Sequence, residues 1–358
     1  MKSERDVPIG EIGENRVLAR FRELASAASG EGVLVGSGDD AAVVSVAENR
    51  LLLLTCDMMV ENVHFRRDWA SAEQIGWKAM VQNLSDIAAM GGEPAFAVAS
   101  LAAPGALSGQ VVEEIAEGLV AAASEYGAAL VGGDLVGSHG PVVVDVALTG
   151  WVEKGTMLLR RGARAGDAVC VTGSLGASAA GLAALQRGLP REEMPDLDEV
   201  LSAHRAPRPR LAEGRAIART GLANAMMDLS DGLADDLPRL GAESGVAVRV
   251  DADRVPIDAS CAAVAARLGL DALALATAGG EDYELLFTCP KEAVNEIASA
   301  VTSETGTSVT VIGETFAGEG AVLIDGAGKS RPFPAGFDHF ATTAHSEHPP
   351  CPEGSAEE

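Results

Sequence analysis

Basic and aromatic side chains are what this chain has least of. Lys and Arg number 27 against 52 Asp and Glu, for a formal net charge of −25 over 358 residues, and Phe, Trp and Tyr make up 4%. A chain this acidic has no electrostatic hold on nucleic acid or on an anionic membrane. Only Glu347, Glu353, Glu357 and Glu358 of the acidic residues lie in positions 341–358, so the acidity belongs to the folded body. With aromatics scarce, the cores must be built from Ala, Val and Leu, and 47% hydrophobic residues suffice for that. The five cysteines, Cys56, Cys170, Cys261, Cys289 and Cys351, form no CxxC pair and are odd in number. That pattern fits reduced thiols rather than a disulfide framework. No run of about 18 uncharged apolar residues occurs, and the opening MKSERDVPIGEIGENR has no signal-peptide core. A soluble cytoplasmic protein of two domains is expected from these bounds and from the length.

What is abundant is aspartate in short, glycine-rich or serine-rich motifs. Asp39 and Asp40 lie in GSGDDAA, Asp57 follows LLLLTC, Asp86 lies in NLSDIAAMGG and Asp134 in VGGD; Asp228, Asp231 and Asp235 lie in DLSDGLADD. A further acidic set, Glu281, Asp282 and Glu284, lies in GGEDYELLF. Carboxylates gathered without basic neighbours repel one another and resist ionising together. Divalent cations among them resolve the conflict, and hard oxygen ligands select Mg2+ or a close relative. The pattern therefore points to metal-bound phosphates.

Hydrophobic periodicity predicts strands at 33–35, 41–46 and 51–55, the last fully buried and delivering Asp57 at its end. A helix is predicted over 72–90, capped by Ser71 and closed by Gly91-Gly92, with Asn83 and Asp86 on one face. A strand at 96–101, a helix at 108–126 and a strand at 128–131 follow, the last brought to a stop by Gly132-Gly133-Asp134, and a strand at 142–149 closes this half. Residues 154–166, with Arg160, Arg161 and Arg164, form the join. Later strands are expected at 168–171, 225–227, 246–250 and 283–288, with a helix at 233–244 capped by Ser230 or Asp231. The stretch from Ala341 has the composition of a disordered tail.

Two phosphate-binding patterns fail on inspection. Gly36-Ser37-Gly38-Asp39-Asp40-Ala41 matches a dinucleotide fingerprint, but a strand-like AAVVSV follows where a helix is required. Gly328-Lys329-Ser330 resembles the end of a P-loop, but position 323 is Leu where that loop needs Gly. Cys56 has no histidine beside it and reads as a buried strand thiol rather than a nucleophile. His64 in ENVHFRRD is either a packed residue or a contact to a substrate phosphate or ring. Arg160 is either part of a solvated hinge or the guanidinium that nucleotide phosphates need in so acidic a protein.

Taken in order, GDDAA, the Thr-Cys-Asp of 55–57, NLSDIAAMG, GGD, DLSDGL and GGEDYELLFT resemble the thiamine-monophosphate kinase family. That family belongs to the ATP-binding superfamily typified by aminoimidazole ribonucleotide synthetase. The resemblance spans residues 10–340. It implies an α/β (α+β) fold of two domains. Residues 1–153 would be an N-terminal sheet-and-helix domain of the synthetase type that binds ATP and Mg2+ and dimerises through its sheet. Residues 154–340 would be a C-terminal α/β sandwich, with 341–358 a tail. The implied reaction converts thiamine monophosphate to thiamine diphosphate with ATP and several Mg2+ ions, in a cytoplasmic homodimer.

By position, the resemblance makes Asp40, Thr55, Cys56, Asp57, Asp86, Asp134, Asp228 and Asp231 metal ligands. Cys56 stands where the family usually has Thr, so its implied role runs through the backbone carbonyl. Gly133, Asp134, Arg160 and Ser230 would contact ATP, while His64, Glu281 and Phe337 would contact the thiamine substrate. No residue is assigned as a general base, because a phosphate monoester with a second pKa near about 6 is already mostly ionised at neutral pH. Two rivals stand beside this reading: an ATP-dependent cyclo-ligase of the same superfamily, and an acidic cation-binding module without catalysis.

Overall fold

Apolar residues alternating with polar ones build the first half around a single sheet. The computed structural model describes residues 33–35, 39–47, 49–189, 197–334 and 336, all within one compact unit, Ser29–Phe337. Phe337 and the stretch 341–358 lie outside the described residues. Strands β1 (Val33–Val35), β2 (Ala42–Ala47), β3 (Arg50–Val60), β4 (Glu93–Pro104), β5 (Ala129–Ser138) and β6 (Val143–Glu153) lie in the order β1-β2-β3-β6-β4-β5. All pairs are antiparallel except β4 with β5. Helices α1 (Ala72–Ala89) and α2 (Gly109–Glu125) belong to this half.

β3 departs from the short buried strand that the run 51–55 suggests. It continues to Val60, so Asp57 lies inside it, and its burial alternates instead of being complete. Successive side chains point to opposite faces of a sheet. Thr55 and Asp57 therefore share the inner face with the buried Leu51, Leu53 and Met59, while Leu54, Cys56 and Met58 are exposed on the outer face. Gly132-Gly133-Asp134 does not end a strand either. It runs through the edge strand β5, where Gly133 lies so close to Ala99 that a Cβ would fall 2.2 Å from that carbonyl oxygen.

The second half contributes β7 (Ala168–Thr172), α3 (Ala177–Arg187), α4 (Leu197–Arg205), α5 (Leu211–Thr220), β8 (Ala225–Asp228), α6 (Leu233–Ser244) and β9 (Val246–Asp251). After them come α7 (Ala259–Leu268), α8 (Ala272–Ala278), β10 (Leu285–Cys289), α9 (Val294–Thr305), β11 (Val309–Ala317), β12 (Ala321–Ile324) and β13 (Ser330–Arg331). The sheet order is β13-β12-β9-β11-β7-β10-β8. β8 and β10 are antiparallel neighbours, with Asp228 at the end of one opposite Leu285 at the start of the other. This pairing sets DLSDGL (228–233) beside GGEDYEL (279–285) although residues 234–278 separate them in sequence. The P-loop-like Gly328-Lys329-Ser330 falls at the turn between β12 and β13, whose backbone N–H groups at Ala327 and Lys329 donate to Asp325.

α1 is the element that joins the halves. Ser71 caps it in a reciprocal box with Gln74, and Gly91 (φ 67°) turns the chain out of it. It packs on β3 and β6 of the first sheet, on β8 of the second, and on α2 and α5. The crossing with α2 is backbone on backbone: a Cβ on Gly76 would lie 1.9 Å from the Ile115 carbonyl oxygen, and one on Gly118 would lie 1.9 Å from that of Glu73. One apolar core, poor in aromatics as the composition requires, runs from Leu53, Ile75, Leu84 and Ile87 to Met226, Phe287 and Ile297. Gly76→Ala or Gly118→Ala should each lower stability by about 1–3 kcal/mol through overpacking. The urea midpoint of either variant reads that effect directly.

Candidate active site

Four acidic side chains from four different elements meet under the first sheet. Asp40 precedes β2, Asp57 is on the inner face of β3, Asp86 is in the last turn of α1, and Asp228 ends β8. Single carboxylate oxygens of Asp40, Asp86 and Asp228 all lie within 4.8 Å of one another. Asp57 hydrogen-bonds Asp86, and the Thr55 hydroxyl donates to the same Asp86 carboxylate. Ser85, next to Asp86, donates to Asp228 at 2.6 Å and so ties NLSD to DLSD directly.

The sequence suggests aspartates without basic partners, and for two of them the fold supplies one. Arg160 donates to Asp40 at 2.6 Å, and its backbone N–H rests on Asp39 at 3.2 Å. Arg239 pairs with Asp231 and, at 3.2 Å, with Asp236. Even so, Oδ2 of Asp40 and Nε of Arg160 are buried with no hydrogen-bond partner among the described residues. Arg160 is thus no solvated hinge residue; its side chain is 15% exposed and enters the acidic cluster.

The electrostatics follow from burial. Burial, then the Asp40 charge, pushes Asp228 up to about 8. Burial, then Asp231, puts Asp57 at about 6, and burial, then Asp40, puts Asp39 at about 6. Asp86 is held well above the ordinary carboxylate range by burial, then by Asp57 and Asp228. Hard oxygen donors this close, with a bare buried oxygen among them, suit Mg2+, which takes carboxylates together with water and phosphate oxygens. Asp40, Asp86 and Asp228 would hold such an ion, with Asp57 and Thr55 alongside.

Other expected site residues are placed differently. Cys56 points away from the cluster because its parity on β3 is opposite to that of Thr55 and Asp57. It is exposed, its Sγ lies 3.4 Å from Asp145, and burial together with that carboxylate pushes the thiol up to about 11. The buried thiol read from the sequence is therefore corrected, and only the Cys56 backbone could serve the site. Asp134 is paired with Ser100, whose side chain lies on the outer face, and it is exposed without a hydrogen bond or ion pair among the described residues. It does not join the cluster within this chain, and Gly133 lies on the same edge strand. Neither Ser230 nor Asp231 caps α6. Gly232 (φ 99°) occupies the cap, and the buried Asp236 accepts the N–H groups of Asp231 and Gly232 at 3.0 Å. Asp236 was legible only as the second aspartate of ADD in the helix's first turn. His64 follows β3 in a tight turn, where its Nδ1 accepts the Val60 N–H at 3.0 Å. Phe337 is outside the described residues.

The acidic set in GGEDYE is likewise partnered. Glu281 meets Lys78 at 2.6 Å, Asp282 accepts the Gly176 N–H at 2.8 Å before α3, and Glu284 pairs with Arg210 at 2.5 Å. None of these three joins the aspartate cluster.

The chain matches the family described as AIR synthase related protein, N-terminal domain, over residues 38–152 and the corresponding C-terminal domain over 164–326. It is 36% identical to the thiamine-monophosphate kinase of Salmonella typhimurium over 92% of this chain and 99% of that one. The Escherichia coli K12 protein of the same name is also 36% identical, with the same coverage. The chain belongs to the thiamine-monophosphate kinase family. A solved structure described as AaThiL complexed with AMPPCP and TMP superposes with a TM-score of 0.81 at 34% identity, covering 93% of this chain and 99% of that one. The two domains of this kinase family accordingly correspond to the two sheets, each with its helices.

The raised carboxyl values carry a sign. Each of these groups binds its proton more tightly folded than unfolded, so its contribution to stability is complete below the ordinary value of 3.8 and is lost as pH rises through about 6 and about 8. In EDTA the melting temperature should fall between about pH 5 and about pH 8. Mg2+ should raise it, by more at the upper end of that range, because cation and proton compete for the same oxygens. Thermal melts at matched pH with and without Mg2+ test both statements.

Proposed function

We propose that the protein transfers the γ-phosphoryl group of ATP to thiamine monophosphate, forming thiamine diphosphate and ADP. The observation that carries this reading is the convergence of Asp40, Asp86 and Asp228 oxygens within 4.8 Å, with Oδ2 of Asp40 left bare in the interior. The relative complexed with AMPPCP and TMP supports it, since those names match a triphosphate donor analogue and a monophosphate acceptor.

Both reactants are polyanions, and their mutual repulsion is the principal barrier. Divalent cations bound by the aspartates would screen that repulsion and stabilise charge as it moves to the leaving oxygen. The chain's own part is to fix positions. Arg160, buried against Asp40, presents an unpaired Nε toward the donor phosphates, and Ser230 lies in the turn between β8 and α6. On the acceptor side we assign His64, Glu281 and Phe337. His64 takes its Nδ1 lone pair to the Val60 N–H, which places the ring proton of the neutral imidazole on Nε2. Because the acceptor monoester is already largely ionised at neutral pH, transfer proceeds directly, in line and without a phosphoenzyme.

The outer face of the first sheet supports a homodimer. Leu54, Met58, Phe96, Val98, Val131 and Val136 are exposed there, from 39% for Leu54 to 61% for Val131. An apolar area of this kind marks an association surface. No helix among the described residues is long and apolar enough to cross a membrane.

Incubation with ATP, Mg2+ and thiamine monophosphate should yield thiamine diphosphate, with no label retained on the protein after γ-labelled ATP alone. Asp86→Asn should lower kcat by about a hundredfold or more. The same change removes a repelled carboxyl, so the variant should melt in EDTA no lower than the parent. Full activity in that variant would remove Asp86 from the site. Val131→Asp should convert the dimer to monomer in sedimentation velocity.

A further inference from the structure

Away from the aspartate cluster, α1 carries a second polar row on the same side. Lys78, Gln82 and Asp86 are spaced four apart and so lie along one helix face. Asp86 belongs to the acidic cluster, Gln82 hydrogen-bonds the Tyr283 hydroxyl, and Lys78 reaches Glu281. The buried ammonium of Lys78 sits 2.6 Å from both carboxylate oxygens of Glu281. From α4, Nδ1 of the buried His204 lies 3.2 Å from Glu281 Oε2, and the Ser178 hydroxyl at the start of α3 is 3.2 Å from the same nitrogen.

The turn that carries Glu281 is held in a conformation that side chains disfavour. Glu281 has φ 66° and Tyr283 has φ 50°, both in the left-handed region that costs a non-glycine residue energy. Two backbone bonds brace it against β8 and the residues after it: the Glu281 N–H donates to Ser230 at 2.7 Å and the Tyr283 N–H to Leu229 at 3.0 Å. The Glu281 side chain nevertheless keeps 23% of its surface open. A strained turn, clamped from two helices, thus presents one face of a carboxylate to solvent within reach of the residues that follow β8.

We propose that Lys78 and His204 are positioning residues that fix the Glu281 carboxylate for contact with the cationic thiamine substrate. This rests on the kinase reading and deepens its acceptor side. Lys78 and His204 do not touch the substrate; they act through Glu281. The groups facing Glu281 are Lys78 from α1, His204 from α4 and Tyr283 on its own turn, with Arg205 adding its charge against His204. Burial alone would drive the Glu281 proton on. Lys78 and His204 outweigh it and hold the carboxyl at about 2, so it is an anion at every working pH. Burial, then the Lys78 charge, keeps His204 below its ordinary value and hence neutral near pH 7.

Steady-state kinetics on the full chain, with melting temperature as a control, decide the matter. Lys78→Met should raise KM for thiamine monophosphate by about tenfold or more, the scale of a charge-assisted hydrogen bond, and leave KM for ATP within about twofold. It should also add an ionisation to the acidic side of the kcat/KM profile for thiamine monophosphate, beyond those of the acceptor monoester and the aspartate cluster that the parent already shows, because Glu281 loses its main counter-charge and titrates higher. Lys78→Arg should restore both. In a Glu281→Gln background, Lys78→Met should add nothing to KM, and that double variant removes both charges should the single one fold poorly. An unchanged KM and pH profile in Lys78→Met, or equal losses for both substrates with no change in pH profile, would overturn the proposal. A wild-type protein that fails to phosphorylate thiamine monophosphate but binds it in titration calorimetry overturns only the kinase reading, and the loss or retention of that binding in Lys78→Met then decides the positioning role. A wild-type protein that does not bind it at all overturns both.

Discussion

Repulsion among Asp40, Asp57, Asp86 and Asp228 is the constraint around which this fold is arranged. They come from a loop, a strand, a helix and a second strand, so neither local structure nor chain proximity brings them together. Among the described residues a single guanidinium, that of Arg160, reaches into the group. Burial and mutual proximity keep protons on Asp57, Asp86 and Asp228, which is an electrostatic cost built into the metal-free molecule. The apolar packing of α1 against β3, α2 and α5 holds the group together against that cost, and the glycine contacts at Gly76 and Gly118 show how little slack the packing has. Strain at this place is stored in charge rather than in backbone geometry.

The GGEDYE segment resolves the same problem by other means. Lys78 and Arg210 approach Glu281 and Glu284 from 203 and 74 residues away, so both anions are neutralised by partners that the local sequence does not disclose. Asp282 is set on backbone N–H groups at the entry to α3, where peptide dipoles favour an acceptor. Here the strain is in the backbone, at Glu281 and Tyr283. Two acidic regions thus meet at one end of the strand pair β8 and β10, one set against Lys78, Arg210 and backbone N–H groups, the other left with carboxyls that repel one another.

The limits of α1, α2 and α6 were legible within about two residues, α1 because its capping signals are local and carry their own chemistry, and α6 from its periodicity although Gly232 stands where Ser230 or Asp231 was expected as cap. β3 was underestimated because Thr55 and Asp57 interrupt an apolar run, although their position on the inner face follows from the same alternation that places Leu51 and Leu53 there. That alternation also turns Cys56 outward, a consequence available from strand parity alone. Gly132-Gly133 reads as a terminator by composition, yet an edge strand tolerates glycine where a neighbouring backbone comes close. Lys78 could have been found from its four-residue spacing to Gln82 and Asp86. Arg239 as the partner of Asp231, and the seating of Asp134 on the outer face, depend on helix phase and sheet order and have no local signature.

A site of this kind makes two ionisations point the same way. The cluster must shed protons to take up cations, and with Asp57 near about 6 and Asp228 near about 8 it does so across the neutral range. The acceptor monoester loses its second proton near about 6, in the lower part of that range. A general base would have to compete for protons with several carboxyls already reluctant to ionise, and it would be redundant for a nucleophile that arrives deprotonated. The absence of an assigned base is therefore not a gap in the machinery. On the proposed reading charge placement would take over that role: cations would offset the donor and acceptor phosphates, Arg160 would add a fixed positive group, and Glu281, kept ionised by Lys78, would address the opposite, cationic end of the acceptor.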